Sequence, residues 1–203
     1  SGFTKYLVQI NINMNNNLLT KAVKHLQNGE IIIYDTDTLP GFGVDATNKQ
    51  AVRNLNLLKN RIQPMSIILS DILKLENYAF INPQIMNEIK KIIPGKYTLL
   101  LKAKKSNIAK EVFCGSEKVG IRIPKNNFSI NLTKLLGKPI TTTSINIHGS
   151  PALIKKEEII KQFPSIPIFM EEKNNHSSIG STIIDFMTYP YKIVRLGDGK
   201  YPL

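Results

Sequence analysis

Residues 30–45 have the sequence EIIIYDTDTLPGFGVD, and this stretch indicates the class of fold. Glu30–Tyr34 carries a continuous apolar run, which is typical of a buried strand. Asp35–Asp45 contains glycines and turn-forming residues, so it predicts a loop that enters a second short strand at Phe42-Gly43-Val44. A strand that follows another strand without an intervening helix favours a mixed sheet over a purely parallel one.

The same mixture of strands and helices extends along the rest of the chain. Helices are predicted to begin near Asn17, Asn48, Asp71, Asn82, Phe128 and Lys155, and further strands are predicted at 66–69, 97–101, 119–123, 140–143, 166–170, 182–185 and 192–195. Gly29 and Gly137 stand where helices are expected to end. We therefore predict one α/β domain over residues 1–203, with its core at about 16–199. Its sheet is expected to be twisted, open and mostly mixed, with flanking helices. The polar stretch Glu171–Ser178 predicts a mobile loop.

The composition excludes several classes of protein. The chain has 203 residues, of which 42% are hydrophobic, and this is enough for a sizeable core. No apolar run approaches the length of a membrane span, and the first residues lack the pattern of a signal peptide. Ser1-Gly2 is interpreted as the remnant of a cleaved tag. The single cysteine, Cys114, excludes an internal disulfide and a cysteine-rich metal cage. We therefore expect a cytoplasmic protein without membrane contact.

The strong positive charge has two open interpretations. The formal net charge is +12, and a basic surface attracts RNA through the release of counterions. A chain that is rich in Lys, Asn and Ile together also arises by compositional drift, in which Lys replaces Arg over the surface. No arginine-rich arm, zinc finger or aromatic RNA-binding motif accompanies the charge. The charge alone therefore does not distinguish RNA contact from drift.

Two short polar motifs each follow a predicted element. Lys59-Asn60-Arg61 comes after a helix, and Ser144-Ile145-Asn146 comes after a strand. Side chains at i and i+2 of an extended segment point the same way, so each pair is expected to face one pocket. Cations suit phosphate oxygens, whereas a hydroxyl and an amide suit a small molecule that bears hydroxyl and carboxylate groups. The alternative for the first motif is an interaction of its cations with the helix C-terminus. The chain has no Walker A loop.

Further polar residues are ambiguous when taken singly. Thr36 follows the first strand, where ligand-binding residues often lie, although threonine is also an ordinary turn residue. Arg122 lies in an apolar strand and must pair internally or face a cleft that receives an anion, because an unpaired buried charge is costly. The cleft is the favoured interpretation. His25, His148 and His176 share no spacing that suits a catalytic set and are interpreted as surface or packing residues.

Taken together, the motifs form a recognisable order. They are YDTDT (34–38), GFGVDAT (41–47), KNR (59–61), PMSI (64–67), PGKYT (94–98), VGIRIP (119–124), GKPITTTSIN (137–146), GSTIID (180–185) and VRLGDG (194–199). This order resembles the YrdC family, and within it the single-domain L-threonylcarbamoyladenylate synthases of the TsaC type. The resemblance extends from about Leu19 to Gly199, and the succession of KxR and SxN is its most specific part.

The resemblance implies a fold and an activity. The fold is a concave basic cleft over the mixed sheet. The activity is the synthesis of L-threonylcarbamoyladenylate and pyrophosphate from L-threonine, bicarbonate and ATP. The product would serve the N6-threonylcarbamoyl modification of adenosine in tRNA by a downstream transferase machinery, and contact with tRNA is a further implication. Mg²⁺ is expected to accompany ATP, without a metal site made by the protein.

The resemblance also implies the site residues. Lys59 and Arg61 are the expected catalytic cations and bind the ATP phosphates. The residues expected to bind L-threonine are Thr36, Arg122, Ser144 and Thr182, and the other residues expected to bind ATP are Asn146, Ser181 and Arg195.

Some positions depart from the family pattern. Asp35 stands where the family has proline, and Gln63 stands where a lysine is customary, so one phosphate-binding cation is missing there. His148 lies directly beside the SxN motif. Two alternatives therefore stay open. One is a non-catalytic YrdC-type module that binds RNA or nucleotide, and the other is a paralogue of the YciO type with a different small-molecule activity. The SxN motif favours the synthase.

Overall fold

The structure, a computed structural model, describes residues 17–61, 63–147, 149–170 and 177–200. The strands in this part of the chain are β1 (Ile32–Tyr34), β2 (Gly41–Gly43), β3 (Ser66–Ile68), β4 (Tyr97–Lys102), β5 (Lys118–Arg122), β6 (Ile140–Ser144), β7 (Ile168–Phe169), β8 (Thr182–Asp185) and β9 (Lys192–Arg195). The helices are α1 (residues 17–27), α2 (Lys49–Lys59), α3 (Pro83–Ile92), α4 (Lys110–Phe113), α5 (Asn127–Leu136) and α6 (Lys156–Gln162), and a 3₁₀ helix spans Ile72–Asn77.

The described strands form one mixed sheet in the order β7-β1-β2-β6-β3-β5-β4-β8-β9. The pairs β1–β7, β3–β5 and β4–β8 are parallel, and the remaining neighbours are antiparallel. Consecutive strands β1 and β2 pair directly, with Ile33 opposite Phe42. The prediction of an open, mixed α/β sheet is therefore confirmed.

Helix boundaries follow the predicted caps. The Asn48 side chain accepts a hydrogen bond from the backbone N–H of Ala51 (3.1 Å), and the Asn82 side chain accepts one from Ile85 (2.8 Å). Gly137 ends α5 in the left-handed conformation, with φ of 72°. The helix predicted from Asp71 is a short 3₁₀ helix, and the four-residue α4 was not predicted because one turn shows no periodicity. Most of the predicted loop Glu171–Ser178 lies outside the described residues.

The two faces of the sheet carry different layers. Ile67 of β3 and Ile121 of β5 belong to one hydrophobic cluster together with residues of α2, α3, α4 and α6. Ile68 of β3 and Ile140 of β6 belong to a second cluster with residues of α1 and α5. Because successive side chains of a strand alternate between faces, Ser66 lies on the same face as Ile68. On the Ser66 side of Ile68, this face carries polar and small residues instead of the α1–α5 layer, and a cavity opens there.

Candidate functional site

The cavity over this face of the sheet has a volume of about 330 Å³. The sheet supplies its floor from adjacent strands. It is lined by Thr38, Leu39, Pro40, Gly41, Arg61, Pro64, Met65, Ser66, Thr98, Leu100, Ser116, Lys118, Gly120, Arg122, Thr142, Thr143, Ser144, Gly180, Ser181, Ile183, Val194 and Arg195. The register explains the row at its centre, since Thr142 pairs with Ser66 and Ser66 pairs with Gly120. A Cβ atom at Gly120 would lie 2.6 Å from Ser66 Oγ, so only glycine leaves room here for the Ser66 side chain.

Cations dominate the charge of the cavity. Arg61, Lys118, Arg122 and Arg195 line it, and no described lining residue is a carboxylate. Burial, followed by repulsion from Arg122, lowers the pKa of Arg195, which shows that these two guanidinium groups act on each other. A bound anion relieves such repulsion. The cavity is therefore suited to carboxylate or phosphate ligands.

Arg122 satisfies both interpretations of its position in the strand. Its Nη2 donates to Asp37 Oδ1 at 2.5 Å, and both side chains are almost completely buried. The other oxygen of Asp37 accepts a hydrogen bond from the backbone N–H of Lys125 at 2.8 Å. Arg122 nevertheless lines the cavity, and its buried Nε has no partner among the described residues. The ion pair therefore holds the guanidinium at the cavity wall.

Lys59 and Arg61 do not face one pocket, which corrects the expectation for this motif. Lys59 is the last residue of α2, and Asn60 adopts the left-handed conformation with φ of 48°. The segment is not extended, so the rule that side chains at i and i+2 point the same way does not apply to this pair. Arg61 lines the cavity and donates to Thr143 Oγ1 (3.2 Å) and to the carbonyl oxygen of Pro64 (3.1 Å). Lys59 is 1% exposed and is not among the lining residues.

The Lys59 ammonium binds the loop that contains the second motif. Its Nζ donates to the carbonyl oxygens of Ser144 (2.5 Å) and Asn146 (2.8 Å) and to Asn146 Oδ1 (2.8 Å). These three bonds use the three protons of an ammonium group. Nζ also lies 5.5 Å from the centre of the Phe42 ring. Lys59 therefore stabilises the conformation of residues 144–146.

The pKa of Lys59 gives a first prediction. Burial, with a smaller repulsion from Arg61, lowers this pKa from 10.5 to about 8. The amine is therefore expected to lose its proton as the pH rises through about 8, while exposed lysines stay charged until about 10.4. The Cε chemical shifts of ¹³C-labelled lysine report each midpoint. One resonance should titrate near pH 8 and be absent in Lys59→Met, and a midpoint above 10 for that resonance would contradict this environment.

Ser144 and Asn146 also separate. Ser144 lines the cavity, and its hydroxyl donates to Asn146 Oδ1 at 2.8 Å. Asn146 is outside the lining set, because its carbonyl group accepts from Lys59 and Ser144 while its amide donates to the carbonyl oxygen of Ser150 (2.7 Å). The structure thus brings Ser144 to the cavity and places Asn146 behind it. His148 lies outside the described residues.

Two of the predicted threonine-binding hydroxyls are engaged elsewhere. Thr36 Oγ1 donates to the carbonyl oxygen of Leu39 (2.8 Å) and accepts from the N–H of Thr38 (3.1 Å), so it shapes the loop that lines the cavity. Thr182 is fully buried. Its hydroxyl donates to the carbonyl oxygen of Gly199 (2.6 Å) and accepts from the N–H of Gly197 (2.9 Å). Both residues lie outside the set that lines the cavity.

Ser181, which directly precedes β8, and Arg195 of β9 contact each other. Arg195 Nη2 donates to the carbonyl oxygen (2.7 Å) and to the hydroxyl (3.2 Å) of Ser181. The Ser181 hydroxyl also shares a hydrogen bond with Thr98 Oγ1 at 2.7 Å. Ser181, Arg195 and Thr98 all line the cavity.

Three contributors were not assigned from the sequence: Asp37, Thr98 and Lys118. Lys118 was detectable, because Lys118, Gly120 and Arg122 alternate on β5 and therefore share one face. Asp37 and Thr98 act through partners far away in the chain, and no local pattern reveals such pairs. His25, which hydrogen-bonds Glu30 and lies against the Phe169 ring, is a packing residue as predicted. His176 lies outside the described residues.

Two kinds of feature are absent from the described residues. In these parts of the chain, no group of three or more His, Cys, Asp or Glu side chains is arranged to hold a metal ion. No described helix combines the length and the apolar character that a membrane crossing needs.

Comparison with known sequences identifies related proteins. The family model Sua5_yciO_yrdC, described as telomere recombination, matches residues 24–197. A protein of Methanocaldococcus jannaschii, whose name assigns it provisionally to the threonylcarbamoyl-AMP synthases, is 35% identical over 183 residues, covering 89% of this chain and 84% of that protein. The threonylcarbamoyl-AMP synthase of Bacillus subtilis is 29% identical over 151 residues, covering 73% of this chain and 44% of that protein.

Comparison with solved structures supports the fold. Pyrococcus abyssi Sua5 complexed with L-threonine matches with a TM-score of 0.82 at 24% identity, covering 90% of this chain and 54% of that chain. E. coli YciO matches with the same TM-score and identity, covering 91% of each chain. The chain thus spans about half the length of Sua5 and nearly all of YciO. At these identities the likeness establishes the fold only.

Proposed function

The chain belongs to the Sua5/YciO/YrdC family, and we propose that its cavity makes L-threonylcarbamoyladenylate and pyrophosphate from L-threonine, bicarbonate and ATP. The observation that carries this proposal is a cavity with four cations, several hydroxyl groups and no carboxylate among its described lining residues. Two of the three substrates are anions, and L-threonine carries a carboxylate. The names of the relatives support the same reaction.

The reaction requires charge neutralisation more than a protein nucleophile. The threonine amine and bicarbonate form a carbamate and water. An oxygen of the carbamate then attacks the α-phosphorus of ATP, and the bond to the leaving pyrophosphate breaks. Negative charge develops on the phosphate oxygens during this displacement, and fixed cations stabilise it. Holding the carbamate and the nucleotide side by side supplies much of the remaining acceleration.

Each cavity residue takes a role that suits its chemistry. Arg122 binds the threonine carboxylate, because its planar guanidinium presents paired donors. Ser144 hydrogen-bonds L-threonine from the end of β6. Arg61 and Arg195 bind phosphate oxygens of ATP, and Ser181 contributes a hydroxyl beside Arg195.

The buried residues of the predicted site act indirectly in this proposal. Lys59 and Asn146 hold the loop that presents Ser144, and Thr36 holds the loop that ends at Gly41. Thr182 fixes residues 197–199 next to the Ser181 segment. These four are positioning residues, since none of them lines the cavity.

Mg²⁺ is part of the proposal as an ion that enters bound to the triphosphate of ATP. It would neutralise phosphate charge and orient the leaving group. The proposal also includes a cytoplasmic location and delivery of the product to a downstream transferase that modifies tRNA. A direct contact with tRNA is consistent with the net charge of +12.

Pyrophosphate release tests the proposed function. The purified protein is incubated with MgATP and with L-threonine and bicarbonate added singly or together. Release is expected only when both are present. Ser144→Ala should lower the rate about tenfold through the loss of one hydrogen bond. The control is Ser150→Ala, which should retain the wild-type rate, because Ser150 is exposed and its backbone oxygen still accepts from Asn146 in the variant. Pyrophosphate release that does not depend on L-threonine would favour another small-molecule activity. Tight binding of tRNA without pyrophosphate release would favour a binding module.

A further inference from the structure

Lys118 is a cation of the cavity lining to which the proposed reaction assigns no role. It begins β5, and its side chain lies on the same face as Gly120 and Arg122. Lys118 and Arg122 are four residue steps apart along the strand, which is about 13 Å between their Cα atoms. The two cations therefore lie at opposite ends of the cavity floor, with the side-chain-free Gly120 between them.

The ammonium of Lys118 is held by a buried carboxylate. Lys118 Nζ lies 2.5 Å from Asp185 Oδ2, and the Asp185 side chain is 7% exposed whereas that of Lys118 is 35% exposed. Asp185 Oδ1 also accepts from the backbone N–H of Met187 at 3.0 Å. Burial raises the pKa of Asp185. The hydrogen bonds from Lys118 and from the backbone of Met187 outweigh this effect, so the pKa of Asp185 lies below its usual value. Asp185 is therefore a fixed anion that anchors the lysine from outside the cavity lining.

Each cavity cation already has a protein partner, and each keeps donors free for a ligand. Arg61 donates to Thr143 and Pro64, and Arg195 donates to Ser181. Arg122 is paired with Asp37. Among the described residues, the Lys118 ammonium donates to Asp185 alone, so two of its three protons remain for a ligand. A compact point charge of this kind suits a phosphate group.

We propose that Lys118 binds the β- and γ-phosphate groups of ATP, which leave as pyrophosphate, while Asp185 holds its ammonium in place. This inference rests on the proposed function, because it places the carboxylate of L-threonine at Arg122 and the leaving group at the other end of the cavity. It also accounts for the neutral, exposed Gln63 beside Arg61, since Lys118 supplies a phosphate-binding cation from a different strand. The competing explanation is that Lys118 and Asp185 form an ion pair that only stabilises the sheet.

Calorimetry with inorganic pyrophosphate separates these explanations without requiring turnover. Lys118→Met should weaken pyrophosphate binding about tenfold or more, the amount expected for a charge-assisted hydrogen bond, and Lys118→Arg should keep most of the affinity. Asp185→Asn should bind pyrophosphate at least as tightly as wild type, because the amide oxygen still accepts from Lys118 and holds it in place while a nearby negative charge is removed. Lys102→Met is the control, since Lys102 is the exposed cross-strand neighbour of Lys118, and it should bind like wild type.

The outcomes are distinct from those of the turnover assay. If Lys118→Met binds pyrophosphate as wild type does while both Lys118→Met and Asp185→Asn lower the melting temperature equally, the pair is structural and the inference is wrong. If wild type does not bind pyrophosphate at all, the inference is also wrong. If Lys118→Met loses pyrophosphate binding but wild type releases no pyrophosphate in response to L-threonine, the phosphate site stands and the proposed function fails.

Discussion

Arg122→Met is expected to lower the free energy of unfolding by about 3–5 kcal/mol, because it leaves the buried Asp37 carboxylate without its cation. The same change removes the paired donors that the proposal assigns to the threonine carboxylate. Threonine-dependent pyrophosphate release should therefore fall by about 10²–10⁴, given that each of the two charged hydrogen bonds contributes about 1.5–3 kcal/mol. Urea unfolding and the pyrophosphate assay measure the two effects separately.

A double variant distinguishes these two roles of Arg122. Arg122→Met combined with Asp37→Asn removes both charges, and replacing a whole buried ion pair costs much less stability than breaking it. The double variant should regain most of the lost stability and none of the lost activity. Recovered turnover in the double variant would show that Arg122 has only a structural role and does not contact L-threonine.

Lys59→Met is expected to have the second large effect. It leaves the carbonyl oxygens of Ser144 and Asn146 and the Asn146 side chain without their buried donor. Each unsatisfied buried group costs about 1–3 kcal/mol, and methionine regains part of this by apolar burial. A net loss of about 2–3 kcal/mol corresponds to a fall in melting temperature of about 4–12 °C for a domain of this size. Activity should fall with the loosened loop.

Lys49→Met on the same helix is the matched control, because Lys49 is exposed at the start of α2. It should change neither the melting temperature nor the activity. If Lys59→Met keeps the wild-type melting temperature but loses nucleotide binding, Lys59 reaches the phosphates instead of holding the loop. That result would restore the role that the family resemblance implies for this residue.

The parts of the fold that depend on neighbouring residues could be predicted from the sequence. Asn48 and Asn82 cap helices because an Asn side chain bonds backbone N–H groups within one turn. Gly137 ends α5 because glycine adopts the left-handed conformation easily. The order of the strands could not be predicted in this way. The parallel pairing of β1 with β7, for example, joins Ile33 to Ile168 across most of the chain.

The candidate site shows the same division. Of the residues that the resemblance implies, the structure brings five to one cavity: Arg61, Arg122, Ser144, Ser181 and Arg195. Lys59 lies outside the cavity lining, and the left-handed Asn60 breaks the extended geometry assumed for the motif, a conformation that the sequence does not reveal at a non-glycine residue. Thr182 also lies outside the lining, and its buried hydroxyl bonds backbone groups of residues 197–199, which only the tertiary structure brings close.

The most direct test of the account is the identity of the product. The protein is incubated with MgATP, L-threonine and ¹³C-bicarbonate, and the nucleotide products are analysed by mass spectrometry. The account predicts an adenylate that contains threonine and is heavier by the one labelled carbon, formed together with pyrophosphate. An adenylate without the label, or no threonine-containing adenylate at all, would contradict it.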